Sequence, residues 1–542
     1  MWWICAIVGH APTLSLDTGV ASGKTLLLHR DVHSFLGLPF ARPPVGALRW
    51  QPPERPESWA PVVRDATKYG KSCMQSHNAF VDFSKMSEDC LYLNIAMPKK
   101  PAVGAGYPTV VFFYGGSWKL GSAMFPLYSG DQIASHHDVV VVTINYRLGA
   151  FGYLGSERLR ASDGSTGNYG IQDQRAALEW VHRNAKALGC DVTKLMIFGE
   201  SAGAGSVANH LVRPRSWGLF TRAGMESGPV ATWTSQSMMD ATAKFDTLVA
   251  RFGCGGASTP SVDVQRCMRE VAAVNLTSLH HLPSPATGRG VIDWSPVVDG
   301  VELTALTVDL ASAGKIAPHV PVLLGSNRDE GSALFGDLPV DANATVLKQV
   351  LTNLFASDPH TAGSAFVDSL LKDIYPPSRF AAHDHASAEW WAGIRSFGDL
   401  AMSCAARRTA RWVSNTTLRG TSASSAFLYF FTRKLHATSL VEAVQKKPLG
   451  VFHGSELLLV FNTLSELLDE EEKDLALDVM ALWAGFADSG RPNGGTRTRE
   501  ALPTWPAYDP QSDLALIIDT PLNVSSGLKR AECDFWDRHH AW

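Results

Sequence analysis

A chain of 542 residues that is 45% apolar can bury a large core, and a formal net charge of −4 without basic clusters offers no electrostatic footprint for nucleic acid. No uninterrupted apolar run reaches the roughly 18 residues that a membrane-spanning helix requires, so no stable membrane insertion is expected. Small neutral or amphipathic ligands fit this balance better than polyanions.

Length alone would allow about three domains. No internal repeat, low-complexity tract or long linker marks a boundary, however, and a single α/β domain over residues 12–542 with large insertions is expected. Residues 1–11, MWWICAIVGHA, outline a secretory signal peptide, apolar and ending in a small-x-small triplet. The basic start is missing and Pro12 follows at once, so an incomplete signal or a first buried strand would read the same way. Four N-x-S/T sequons, at Asn275, Asn343, Asn415 and Asn523, are glycosylation candidates in an exported chain.

The eight cysteines contain no C-x-x-C pair, which argues against a zinc ribbon or a thioredoxin-like site. Local spacing suggests Cys73–Cys90 and Cys254–Cys267, with Cys404–Cys533 as a long-range tie. Cys5 falls in the signal-like segment, and Cys190 is left as an inert buried thiol. Such pairs add stability only in an oxidising compartment. The chain finishes His-His-Ala-Trp rather than with an ER-retention tetrapeptide, and secretion is expected over lumenal residence.

Along the chain, residues 24–50 break short apolar stretches with Gly and Pro, as an antiparallel edge running into a Pro-rich loop does. Leu91, Leu93 and Ile95 alternate as in a half-buried strand, and the sixteen residues between Cys73 and Cys90 form a candidate rim loop. Residues 109–114, TVVFFY, predict a buried strand ending in Gly115-Gly116-Ser117-Trp118, a turn able to bring backbone N–H groups to a substrate oxygen. Residues 138–145, DVVVVTIN, predict another, of the composition expected in a parallel sheet covered on both faces. A helix over 171–188 follows, with Ala177, Trp180, Val181 and Ala185 at helical spacing.

Next comes KLMIFGESAGAGS. Four apolar residues, Leu195 to Phe198, run into Gly199-Glu200-Ser201-Ala202-Gly203, a G-x-S-x-G pattern between a strand and a small-residue helix. This is the signature of an elbow that holds a serine hydroxyl exposed on a strained turn. Residues 222–228 and 320–325 predict two further strands, the second running into Asp329-Glu330, two carboxylates where doubly wound sheets place their chemistry. Residues 341–391 are mainly helical in pattern. A late strand at 427–431 precedes His453-Gly454, and 514–518 predict the last strand.

A serine hydroxyl is a weak nucleophile unless a base lies within reach, and that base needs a carboxylate to fix its tautomer. Ser201, then Glu330, then His453 stand in the order of an α/β-hydrolase triad, each at or after a predicted strand end. Adjacent Asp329 is an equally placed acid by this reading. His280, His281, His383 and His385 read as surface loops, and no metal or other cofactor is expected. With histidine's usual pKa near 6.5, activity should fall below about pH 6.

The segments FLGLPFARPPVGALRW, SEDCLYLN, YGGSW, GNYGIQDQRAALEWV, IFGESAG, SNRDEG and FHGSE together resemble the type-B carboxylesterase family of carboxylesterases and cholinesterases. The resemblance implies an α/β-hydrolase fold, a central, mostly parallel, twisted sheet with helices on both faces. It implies Ser201 as nucleophile, Glu330 as acid, His453 as base, and an oxyanion hole of the N–H groups of Gly116, Ser117 and Ala202. Glu200 would lie beside the nucleophile, Ser227 near the triad carboxylate, and Arg49 would pair with Glu88; the three cysteine pairs also match.

Ser117 departs from the family's frequent third glycine and would narrow the acyl pocket. Residues 74–89 contain no tryptophan, the residue by which cholinesterases hold quaternary ammonium. The expectation is a secreted serine esterase of small to medium soluble esters. A lipase with a short lid of Phe80, Val81 and Phe83, or a non-catalytic adhesion relative, are the alternatives.

Overall fold

The computed structural model describes residues 11–539 except 27–28, 30, 77–80, 278–292, 357–360, 362, 381–384, 416–423, 446 and 495–501. Its centre is an eleven-stranded sheet. In chain order the strands are β1 (Lys24–Thr25), β2 (Val32–Pro39), β3 (Tyr92–Pro98), β4 (Tyr107–Phe113), β5 (Val140–Ile144) and β6 (Cys190–Glu200). They continue with β7 (Arg222–Glu226), β8 (Val322–Asn327), β9 (Ala426–Phe431), β10 (Leu514–Ile518) and β11 (Asn523–Ser526). In space they run β1-β2-β3-β5-β4-β6-β7-β8-β9-β10-β11. From β5 through β10 all neighbours are parallel, and antiparallel pairs occur only toward the two edges.

The central strands are buried on both faces because helices cover both. All five residues of β5, VVVTI, are buried, and a continuous β-branched run is what a doubly covered strand needs. Helix α1 (Tyr169–Leu188) buries Ala177, Trp180 and Val181 and ends at Gly189, whose φ of 64° is the left-handed cap that glycine supplies without strain. Helix α2 (Ala202–Leu211) is buried along its whole length, which explains its small residues. The four positions after β6 that are Ala or Gly let it lie close to the sheet.

The long insertion after β8 builds a second hydrophobic cluster of its own. Helix α3 (Ala388–Gly398) contributes Trp390, Trp391, Ile394 and Phe397, α4 (Cys404–Ser414) adds Cys404, and the C-terminal α6 (Arg530–Arg538) adds Phe535 and Trp536. A further helix, α5 (Glu470–Ser489), packs on the main sheet and opens on a reciprocal capping box between Asp469 and Glu472.

Disulfides join Cys73–Cys90, Cys254–Cys267 and Cys404–Cys533, and Cys190 is a free, buried thiol. The third lies inside the second cluster and fastens the chain's end to it. The other two meet at Arg49. Its guanidinium makes a two-pronged pair with Glu88, at 2.5 and 2.7 Å, and donates to the carbonyls of Met268, Arg269 and Val271. No helix among the described residues is long and apolar enough to cross a membrane.

Candidate active site

Strand β6 delivers Ser201 at its C-terminal end, and α2 starts at the next residue. Ser201 has φ 58° and ψ −124°, a conformation a non-glycine residue keeps only where the surroundings enforce it. Two backbone bonds enforce it here. Its N–H donates to the Glu226 carbonyl on β7 at 2.9 Å, and its carbonyl accepts from Gly205 N–H at 2.8 Å. The turn also requires Gly203, because a Cβ there would sit 1.8 Å from the Phe113 carbonyl oxygen. Ser201 itself remains partly exposed.

Glu330 follows β8 and is 1% exposed. One carboxylate oxygen accepts the Ser227 hydroxyl at 2.6 Å and the Asn327 N–H at 2.7 Å; the other lies 2.5 Å from His453 Nδ1. Adjacent Asp329, left open by the sequence, turns the other way. It pairs with Arg395 at 2.8 Å and Arg328 at 3.1 Å and accepts the Val451 N–H. Of the two acids, Glu330 is therefore the one that meets the imidazole.

The other ring nitrogen, His453 Nε2, lies 3.1 Å from Glu200 Oε1, and no hydrogen bond joins it to Ser201 in this arrangement. Burial lowers the basicity of His453, but the charges of Glu200 and Glu330, the Glu330 hydrogen bond and Glu456 outweigh it and hold the ring above its ordinary value. Glu200 is held above the usual carboxylate range by burial and by Glu330, against the opposing pull of His453.

The turn after β4 supplies the third part. Gly116, Ser117 and Trp118 have φ of 106°, 54° and 54°. The Gly116 carbonyl accepts from both Lys119 and Leu120, and the buried Trp118 indole donates to Ser206 on α2 at 2.9 Å. The N–H groups of Gly116 and Ser117 donate to no described residue. A Cβ placed on Gly115 would sit 2.9 Å from that of Ser201, so this turn and the elbow lie against each other.

The family model described as the carboxylesterase family matches residues 10–536. The chain belongs to the carboxylesterase family. It is 30% identical to mouse cholinesterase over 96% of its own length and 86% of that protein's, and 32% identical to electric-eel acetylcholinesterase over 97% and 88%. It is 31% identical to the rat pyrethroid hydrolase Ces2e over 98% and 91%. Among solved structures it resembles a thermophilic PNB esterase, with a TM-score of 0.77 and 28% identity over 97% of this chain and 99% of that one. It is a serine carboxylesterase of α/β-hydrolase fold.

Other expectations meet the carboxylesterase structure differently. Val81, expected on an amphipathic lid, is 4% exposed and belongs to the main core, so it offers no apolar face to a lipid surface. Phe80, the side chain of Phe83, and His280, His281 and His383 lie outside the described residues, while His385 is exposed. Asn275, Asn343, Asn415 and Asn523 are all exposed.

Two buried acids went unforeseen, Glu226 at the end of β7 and Glu456 three residues after His453. Burial, with the charges of Glu200 and Glu330, pushes Glu456 up to about 8. A carboxylate closing an apolar run, as in RAGMESG, was the signal for the first; nothing set Glu456 apart from a surface residue.

Proposed function

We propose that this carboxylesterase hydrolyses small to medium soluble carboxylic esters through a Ser201-His453-Glu330 triad and an acyl-enzyme. The observation that carries the reading is the imidazole fixed by a buried, fully hydrogen-bonded Glu330 beside the strained Ser201 elbow. In the Michaelis complex His453 Nε2 turns from Glu200 to the Ser201 hydroxyl, since catalytic hydrogen bonds often tighten only when substrate is bound. Ser201 Oγ then attacks the ester carbonyl while His453 takes its proton. The carbonyl oxygen becomes an oxyanion held by the N–H groups of Gly116, Ser117 and Ala202, the last at the N-terminus of α2. Collapse expels the alcohol, which leaves with the proton from His453, and water repeats the sequence on the acyl-enzyme. Glu330 stabilises the imidazolium. Ser227 anchors Glu330, and Glu200 supplies negative charge beside the ring.

The absence of tryptophan in residues 74–89 speaks against choline esters as preferred substrates. Val81's burial favours soluble esters over emulsified fat. Three disulfides and four exposed sequons fit secretion, with those asparagines glycosylated. A p-nitrophenyl ester series from acetate to palmitate tests the substrate class. The short and middle esters should turn over fastest, with no rate jump above the solubility limit. A jump at that limit would make the protein a lipase, and failure to react with an organophosphonate probe would make it non-catalytic.

The pH dependence follows from the site's charges. A protonated His453 cannot accept the serine proton, so activity rises with pH through the histidine's pKa. Because neighbouring carboxylates hold that pKa up, the acid limb of kcat/KM should be centred above the pH of about 6.5 that an ordinary histidine would give, so activity falls at a higher pH than the sequence alone suggests. In Glu200→Gln the ring loses its nearest free carboxylate charge, and the limb should move down by roughly one unit. A limb unmoved by this substitution would show that Glu200 carries no charge in the free enzyme.

A further inference from the structure

Four carboxyl groups are buried behind the elbow: Glu200, Glu226, Glu330 and Glu456, each at most 6% exposed. Among the described residues no Arg or Lys forms an ion pair with any of them, and His453 is the one cationic partner, touching Glu330 and Glu200. Four negative charges and one imidazolium in so deeply buried a cluster are not a stable arrangement, so protons must be retained. The hydrogen bonds say where. Glu330 accepts three donors. Glu456 accepts Asn327 Nδ2 on one oxygen, with the Ser227 hydroxyl 3.3 Å from the other. Glu226 accepts a single donor, the Trp483 indole of α5 at 2.5 Å on Oε1, and its Oε2 is buried without a partner.

We propose that Glu226 is a neutral carboxylic acid and a positioning residue for the nucleophile. Its main-chain carbonyl holds the Ser201 N–H, and its side chain ties that same residue to α5 through Trp483, so one residue pins the elbow to a neighbouring strand and a covering helix. Keeping the proton lets Glu226 do this without adding negative charge beside His453.

The register supports the assignment. Glu226, Gly325 and Tyr429 are paired across β7, β8 and β9, and the Tyr429 ring lies over Gly325, where a Cβ would approach it to 2.4 Å. The Tyr429 hydroxyl on that face is likewise buried and unpartnered. The groups facing Glu226 are thus Glu200 on β6, Tyr429 on β9, Glu456 on the histidine loop and Trp483 on α5. Burial, with Glu456 and Glu200, holds Glu226 well above the carboxylate range, against the Trp483 bond.

The proposal rests on the triad reading for its consequence, but its test does not. Infrared spectra of the wild-type enzyme in D2O at pH 8.5, about four units above an ordinary glutamate's pKa, should contain a carboxylic-acid C=O band that weakens in Glu226→Gln. Absence of the band in the wild type, or full intensity in the variant, overturns the assignment. Because Glu456 also holds its proton up to about pH 8, Glu456→Gln, in which the band should persist, is the second variant that keeps the test decisive if Glu226→Gln does not fold. In the pH profile of kcat/KM, Glu226→Gln should leave the acid limb in place while Glu200→Gln moves it. A limb that moves equally in both would mean that Glu226 is ionised. If the triad reading itself failed, Ser201→Ala would keep its turnover while the infrared band still reported Glu226.

Discussion

Ser201→Ala is expected to fold like the parent and to lose turnover of p-nitrophenyl butyrate by on the order of 10⁵-fold or more, the scale on which removal of a triad nucleophile acts. The fold should survive because the elbow is held by backbone bonds from Ser201 N–H to Glu226 and from Gly205 N–H to Ser201, neither of which uses the hydroxyl. The left-handed strain is present for alanine as for serine. What disappears is the group on which the proposed acyl-enzyme forms, so the pre-steady-state burst and labelling by an organophosphonate should vanish with the turnover. Burst kinetics and intact-protein mass spectrometry check this together. Retention of either activity would transfer the nucleophile's role to another residue.

Glu330→Gln should cost about 10⁴-fold in kcat, the scale found when a triad carboxylate becomes an amide. The amide can still accept the Ser227 hydroxyl and the Asn327 N–H on one oxygen, so the geometry has reason to persist. The group then facing His453 Nδ1 is an NH2. It cannot accept the ring's N–H, and it favours the tautomer that presents a proton to Ser201 instead of a lone pair. Asp329→Asn is the matched control. That side chain is engaged by Arg395, Arg328 and the Val451 N–H, so its substitution should lower the melting temperature and leave the acyl-transfer rate within about tenfold. Reversal of these two results would make Asp329 the triad acid.

The contrast between those neighbours shows what a sequence can convey. The two acids follow the same apolar strand one residue apart, and alternation says only that they point in different directions. Which direction leads to His453 depends on the Asn327 N–H and Ser227, groups from two strands whose pairing is not a local property. The apolar runs of β4, β5 and β9 were legible because strands covered on both faces have no polar positions. The start of β6 was not, since Asp191 and Lys194 interrupt it and its pairing with β4 shifts between Cys190 and Leu195. The stretch Gly167-Asn168-Tyr169-Gly170 reads as the cap of the helix that follows, yet the Asn168 side chain accepts from Arg213 and the Val297 N–H instead of the helix. The second cluster, with its Trp-rich α3, gave only a helical pattern; that it closes on the last helix was legible only through the expected Cys404–Cys533 tie, not through the apolar residues that pack there.

Arg49 gives the molecule one more property. The loop closed by Cys73–Cys90 and the segment just beyond Cys254–Cys267 hang from the same guanidinium, so neither can shift without disturbing the hydrogen bonds of the other. The two segments are therefore mechanically coupled: a first loop transplanted from a relative would keep its position only together with the residues that receive this arginine's remaining hydrogens.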